Sequence, residues 1–381
     1  MNGNPLQRLS ALDQSIWLDF LSRDLVTSGK LKKLIAEDAL RGMTSNPAIF
    51  EKSINGSDDY DRDIRALAQA GKSALEIYEA LTVADVQMAA DAFRPTYDRL
   101  DGRDGYVSLE VNPHLAHDTE GSIVEARRLW KLVARPNVFI KIPGTREGLP
   151  AIAQCVSEGI NINVTLLFGL PRYREVAAAY LTGIDQLVRR GKSPERVASV
   201  ASFFLSRIDT LVDPMLEAKM KDAGPAAEQA RRLRGQAAIA SARIAYQICK
   251  EIFGSPLFEK LKAKGARPQR VLWASTSTKN PEYSDVKYVE PLIGAGTINT
   301  LPMETLDAYR DHGNPQVRLE QEVDQARDAL KRLPELGIDM DAVAQQLEDE
   351  GVDKFNKPYD KLIEALTRKA DSWREPRLAR R

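Results

Sequence analysis

Asn137-Val138-Phe139-Ile140-Lys141-Ile142-Pro143-Gly144-Thr145 reads as a short, buried strand. Branched apolar residues flank Lys141 on both sides, and a Pro-Gly break follows at once. The amine therefore falls at the carboxyl end of the strand. Lysine is almost never fully buried unless it is paired or put to use. Desolvation there is expected to disfavour the ammonium form and lower the pKa. An unprotonated amine can attack a carbonyl carbon. The competing reading is a lysine that snorkels out or ion-pairs at a sheet edge. The neighbouring strands bear on the choice.

Similar runs recur along the chain. They are Ser15 to Phe20, Gly42 to Asn46, Tyr106 to Val111, Val138 to Ile142, Ile162 to Phe168, Ala198 to Phe204 and Arg270 to Ser275. An eighth is Tyr288 to Ile293, with Thr297-Ile298-Asn299 behind it. Helical periodicity fills the gaps. One such stretch runs from Glu120 to Ala134 with Asp118 or Thr119 as cap, and another from Arg146 to Glu158, stopped by Gly159. Strands alternating with helices predict a parallel sheet. About eight such units predict an α/β fold of the (β/α)8 TIM barrel type. The alternative is an open doubly wound sheet, but no Gly-x-Gly-x-x-Gly turn follows a strand and no P-loop occurs. A single barrel domain over 1–381 is expected. Helical decoration is placed at about 214–264 and a helical extension at about 303–381, both read as solvated.

Composition narrows the function. Hydrophobic residues make up 43% of 381, enough for a sizeable core. Lys+Arg and Asp+Glu both number 54, so no net charge points to nucleic acid or a membrane surface. An anionic substrate would have to be met by local cations. Cys155 and Cys249 are far apart and give neither a disulfide framework nor ligand spacing. His114, His117 and His312 are too scattered for a convincing metal site, and no metal or cofactor is expected. No secretory leader and no membrane-length apolar stretch is seen, which predicts a soluble, cytoplasmic protein.

In such a barrel the active site lies at the carboxyl ends of the strands. The polar residues expected there are Asp19, Asn46, Glu110, Lys141, Asn163 with Thr165, Ser202 with Arg207, and Ser275, Ser277 and Lys279. One buried polar residue is usually a satisfied core group. A ring of them is hard to explain as packing, because unpartnered burial costs free energy. Lys141 is then a Schiff-base nucleophile, and Asp19 and Glu110 are two separate acid–base groups. Asn163 and Thr165 can position water and imine, and Arg207 with Lys279 can hold a phosphate. The bland alternatives are a cap for Asp19, a structural salt bridge for Glu110 and an ion pair with Asp209 for Arg207. Together the residues suggest a phosphorylated sugar handled through a lysine imine.

Seven pieces resemble transaldolase, in that family's order. They are Trp17-Leu18-Asp19, Thr44-Ser45-Asn46-Pro47, Val107 to Val111, Ile140-Lys141-Ile142-Pro143, Gly159 to Phe168, Ser202 to Arg207 and Trp273-Ala274-Ser275-Thr276. The resemblance spans roughly residues 15 to 310. It implies an aldolase-type transferase of the pentose phosphate pathway, with Lys141 forming the imine. It implies Asp19 as base for the hydroxyl beside the cleaved bond, and Glu110 and Thr165 as a water-linked proton relay. Asn46, Asn163, Ser202 and Ser275 look like substrate and imine contacts, and Arg207 like a phosphate clamp. Where some members carry a second phosphate arginine this chain has Ser277, with Lys279 two residues on. The resemblance is to the longer bacterial branch. A monomer or a homodimer is compatible with it. A simple aldolase releasing dihydroxyacetone, or a sugar-phosphate-binding barrel without turnover, remain the alternatives.

Overall fold

The computed structural model describes residues 4–374. The expected end of the C-terminal extension, 375–381, lies outside the described residues. Eight parallel strands close into a barrel in sequence order. They are β1 Gln14–Asp19, β2 Gly42–Thr44, β3 Tyr106–Glu110, β4 Val138–Pro143, β5 Ile162–Leu167, β6 Ser199–Phe204, β7 Arg270–Ala274 and β8 Thr297–Leu301. β8 pairs with β1, Ile16 opposite Asn299, which closes the ring. The fold is therefore the (β/α)8 barrel. Both anticipated helices are present: Thr119–Val133 has Asp118 as its cap, accepting from Gly121 N at 2.9 Å, and Gly148–Ser157 ends before Gly159 at φ 90°.

One strand is displaced from its expected place. Tyr288 to Ile293 is buried but forms a turn and the 3-10 segment Glu290–Leu292. Pro291 lacks the N–H a ladder needs, so the apolar character there reflects packing and not pairing. The eighth strand is the Thr297–Leu301 run behind it.

The stretch read as solvated decoration divides into several helices. Among them Ala237–Phe253 is mostly buried, with Ala238, Ala242 and Ala245 against the core, and serves as a barrel helix. The tail is also not a solvated appendage. Its last helix, Met340–Arg374, buries Val343, Leu347, Phe355, Leu362 and Leu366. That helix crosses the carboxyl ends of the strands and covers the barrel mouth.

The other end of the barrel is closed by a polar plug. Asp104 accepts from Ser15 Oγ at 2.6 Å and from Trp17 Nε1 at 3.0 Å, and Arg270 donates to Ser15 Oγ at 2.7 Å. Structure at that end and polar residues at the mouth is the division of labour usual in this architecture.

Candidate active site

Strand register assembles the site. Glu110 is opposite Lys141, Lys141 opposite Asn163, Pro143 opposite Thr165, and Asp19 opposite Thr44. Side chains alternate in and out along each strand and register-paired residues face the same way, so these side chains all point into the barrel near the mouth, with Lys141 and Asn163 one step deeper than Pro143 and Thr165. Asp19, Thr44 and Glu110 are also the last residues of their strands.

Lys141 is 4% exposed, and its Nζ donates to the Ser45 carbonyl at 3.0 Å and to Glu110 Oε2 at 3.2 Å. It does not snorkel. The salt bridge proposed for Glu110 exists, but its partner is the candidate nucleophile. Burial pushes the Glu110 carboxyl above the ordinary value, Lys141 pulls it part of the way back, and Asp19 adds to the rise. Its Oε1 is buried with no protein partner, as is Thr165 Oγ1.

Asp19 accepts from Thr44 Oγ1 at 2.6 Å and caps nothing. Burial raises its pKa. Thr44, Lys141 and Arg207 oppose the rise, and Glu304 reinforces it. Two carboxylates thus lie near one amine, both disposed to hold protons at higher pH than usual.

A cavity of about 390 Å³ opens onto this layer, lined by Asp19, Asn46, Lys141, Thr165, Ser202, Arg207, Ser275 and Lys279 among others. Asn163 lies beneath it. Its side chain donates to Ser108 Oγ at 3.0 Å and accepts from Ser202 Oγ at 2.7 Å. Glu110 also stands behind the cavity wall, touching it through Lys141. Asn46 doubles as the cap of Pro47–Asn55, its Oδ1 accepting from Ile49 N at 3.0 Å.

Arg207 is not bound to Asp209, whose carboxylate takes Ala238 N at 2.8 Å and Tyr288 Oη at 2.9 Å. Its guanidinium packs on the Phe204 ring at 5.3 Å, and Nη1 is buried without a hydrogen-bond partner. An arginine desolvated and left unpaired is costly and is suited to an anion that arrives from solution. Ser275, at φ 54°, shares a 2.9 Å hydrogen bond with Ser206. Lys279 is exposed at the rim and donates to Ser277 Oγ at 2.6 Å.

The sequence reading missed Thr44, Lys52, Glu304 and Phe355, which also line the cavity. Glu304 lies three residues beyond the end of β8, in the first turn of the helix Met303–His312. Phe355 lies in the tail helix and carries no local signal. His114 and His117 face different carboxylates, Asp360 at 2.7 Å and Glu147 at 3.2 Å.

A closed barrel with a buried lysine, a carboxylate on its Nζ and a second carboxylate in the same mouth belongs to the aldolase-type barrel enzymes. The chain belongs to the transaldolase/fructose-6-phosphate aldolase family, whose model matches residues 16–366. It is similar to a transaldolase of Trichodesmium erythraeum, 48% identical over 370 residues, covering 96% of this chain and 97% of the relative. A transaldolase of Thiobacillus denitrificans is 49% identical over 360 residues, covering 94% and 99%. One from Acidothermus cellulolyticus is 48% identical over 377 residues, covering 98% and 99%.

Proposed function

We propose that this protein is a transaldolase. It moves a dihydroxyacetone unit from sedoheptulose 7-phosphate to glyceraldehyde 3-phosphate, giving erythrose 4-phosphate and fructose 6-phosphate. The observation that carries the reading is the buried Lys141 with Glu110 at 3.2 Å, in the mouth of a barrel of this family. Nucleophile and proton acceptor are then in contact before substrate arrives.

Lys141 Nζ, its proton passed to Glu110, adds to the ketose C2 carbonyl. Glu110 and Thr165 return protons to the departing hydroxyl, which leaves as water and gives the imine. Asp19 takes the proton of the C4 hydroxyl. The C3–C4 bond breaks, its electron pair flows into the imine to form an enamine, and the aldose phosphate leaves. The acceptor aldehyde then enters, and the same steps run in reverse. Asn46, Asn163, Ser202 and Ser275 orient the three-carbon unit. Arg207, with Lys279 at the rim, holds the phosphate of a substrate otherwise met by a chain of zero net charge. A cytoplasmic location, where phosphorylated sugars are found, fits this reading. Among the described residues no helix is long and apolar enough to cross a membrane.

The test is borohydride reduction with fructose 6-phosphate, followed by mass mapping. Wild type should carry a three-carbon or six-carbon adduct on Lys141. Lys141→Ala should lose both adduct and turnover while keeping its circular dichroism. An adduct that survives in this variant places the nucleophile elsewhere. Asp19→Ala should still form the adduct but no longer cleave the carbon–carbon bond.

A further inference from the structure

An enamine on Lys141 has two fates. It can attack an acceptor aldehyde, or it can be protonated at C3 and the resulting imine attacked by water at C2. In the second case the C–N bond breaks, free dihydroxyacetone leaves and the lysine amine is regenerated. Family membership does not choose between these fates, and most of the mouth is polar and would welcome water.

One apolar ring stands at the amine. Phe355 is 3% exposed, lines the mouth cavity, and has its ring centroid 5.6 Å from Lys141 Nζ. It comes from the helix Met340–Arg374 and not from any strand or barrel loop. The cavity's other phenylalanine, Phe204, lies on Arg207 at 5.3 Å. Phe204 is thus the ring at the guanidinium and Phe355 the ring at the amine.

The ring is held there by the fit of its helix. Gly351, one turn before Phe355, lets the helix approach β5 so closely that a Cβ would come 2.9 Å from Leu166 Cδ2. Leu166 itself sits at φ 59°, where the β5–β6 register shifts. One turn after Phe355, Tyr359 packs edge-on against Tyr78 at 5.2 Å and His114 at 5.8 Å. Charged pairs tie the helix on both sides, Glu348 to Arg172 at 3.4 Å and Lys361 to Glu51 at 2.6 Å. Residues 351, 355 and 359 recur at helical spacing, so one face is applied to the mouth.

We propose that Phe355 is a positioning residue that excludes water from the Lys141 adduct, so that the three-carbon unit is transferred and not released. The proposal rests on Lys141 forming the imine. An apolar wall beside a reactive intermediate suppresses hydrolysis by denying water its hydrogen-bond partners there.

The experiment compares full-length wild type with Phe355→Ala, Phe355→Gln and Phe355→Leu. Fructose 6-phosphate is supplied with erythrose 4-phosphate to measure transfer, and alone to measure free dihydroxyacetone. The quantity read is the ratio of release to transfer. It should rise on the order of tenfold in the alanine variant, whose vacated volume can hold water, and in the glutamine variant, which offers water a partner. The leucine variant should stay near wild type. A ratio unchanged in alanine and glutamine, with both rates falling together, would mean that Phe355 only supports the fold, and the proposal would fail. Should the alanine variant not fold, the glutamine–leucine contrast decides alone. Borohydride trapping runs alongside. Absence of an adduct on Lys141 in wild type overturns the imine reading itself. An adduct with an unmoved ratio overturns only the role of Phe355.

Discussion

Glu304 and Asp19 line the same cavity, and the carboxylate of Glu304 adds to the rise in the Asp19 pKa, whereas Arg207 opposes it. In the role proposed for it, Asp19 acts as a base only when ionised. A raised pKa therefore puts the acid limb of kcat/KM above the ordinary aspartate range. Removing a neighbouring negative charge lowers that pKa, so Glu304→Gln should move the limb to lower pH. Removing a positive charge should move it the other way in Arg207→Ala. A pH profile of each variant checks both signs, and a limb that ignores both charges would assign it to a group other than Asp19. Arg207 carries a second expectation. Charge-assisted hydrogen bonds contribute about 1.5–3 kcal/mol each, so Arg207→Ala should lower kcat/KM for fructose 6-phosphate at least about tenfold. Little change is expected with dihydroxyacetone and a neutral aldehyde. Lys279→Ala should cost less, because Lys279 is exposed and Arg207 has a buried, unpartnered nitrogen. Equal losses on both substrate pairs would make Arg207 a packing residue.

At the scale of elements, close packing of β1 on β2 depends on one missing side chain. A Cβ on Gly42 would stand 2.5 Å from the indole of Trp17, which is fully buried and anchored to Asp104 through Nε1. The ring has nowhere to go, so Gly42→Ala should destabilise by about 1–3 kcal/mol through overpacking. The urea midpoint measures it, and a variant as stable as wild type would show that β1 and β2 have slack. Seven of the eight strands were legible because a buried strand is an apolar, branched run with turn residues at its ends. Of the two runs expected for the eighth strand, Thr297-Ile298-Asn299 pairs as β8, whereas Tyr288 to Ile293 is apolar for another reason: it is core without a ladder, interrupted by Pro291. Ala237–Phe253 was misread because its alanines are small enough to pass for solvated helix, yet they bury against the barrel.

For the whole molecule, the tail helix is continuous with the barrel's packing. Leu362 and Leu366 are fully buried, and Arg65 stacks on Trp373 with its guanidinium 3.7 Å from the ring. We propose that the described chain unfolds as one cooperative unit. Urea transitions followed by tryptophan fluorescence and by far-ultraviolet circular dichroism should then coincide. Leu362→Ala should shift both together, by roughly 2–5 kcal/mol. Separate transitions would make the tail an independent piece.

The amino-acid sequence alone determined the alternation of strand and helix, and with it the barrel. It also determined which residue types stand at strand ends, including Lys141, Glu110 and Asp19. These are properties of short segments, written in local patterns of burial and turn chemistry. Tertiary structure alone decided that Glu110 pairs with Lys141, that Arg207 is left without Asp209, and that Phe355 covers the amine. Each depends on residues distant in the chain, the second because Asp209 is taken by Ala238 and Tyr288. No local pattern encodes such a meeting, because it exists only once the barrel has closed and the last helix has crossed its mouth.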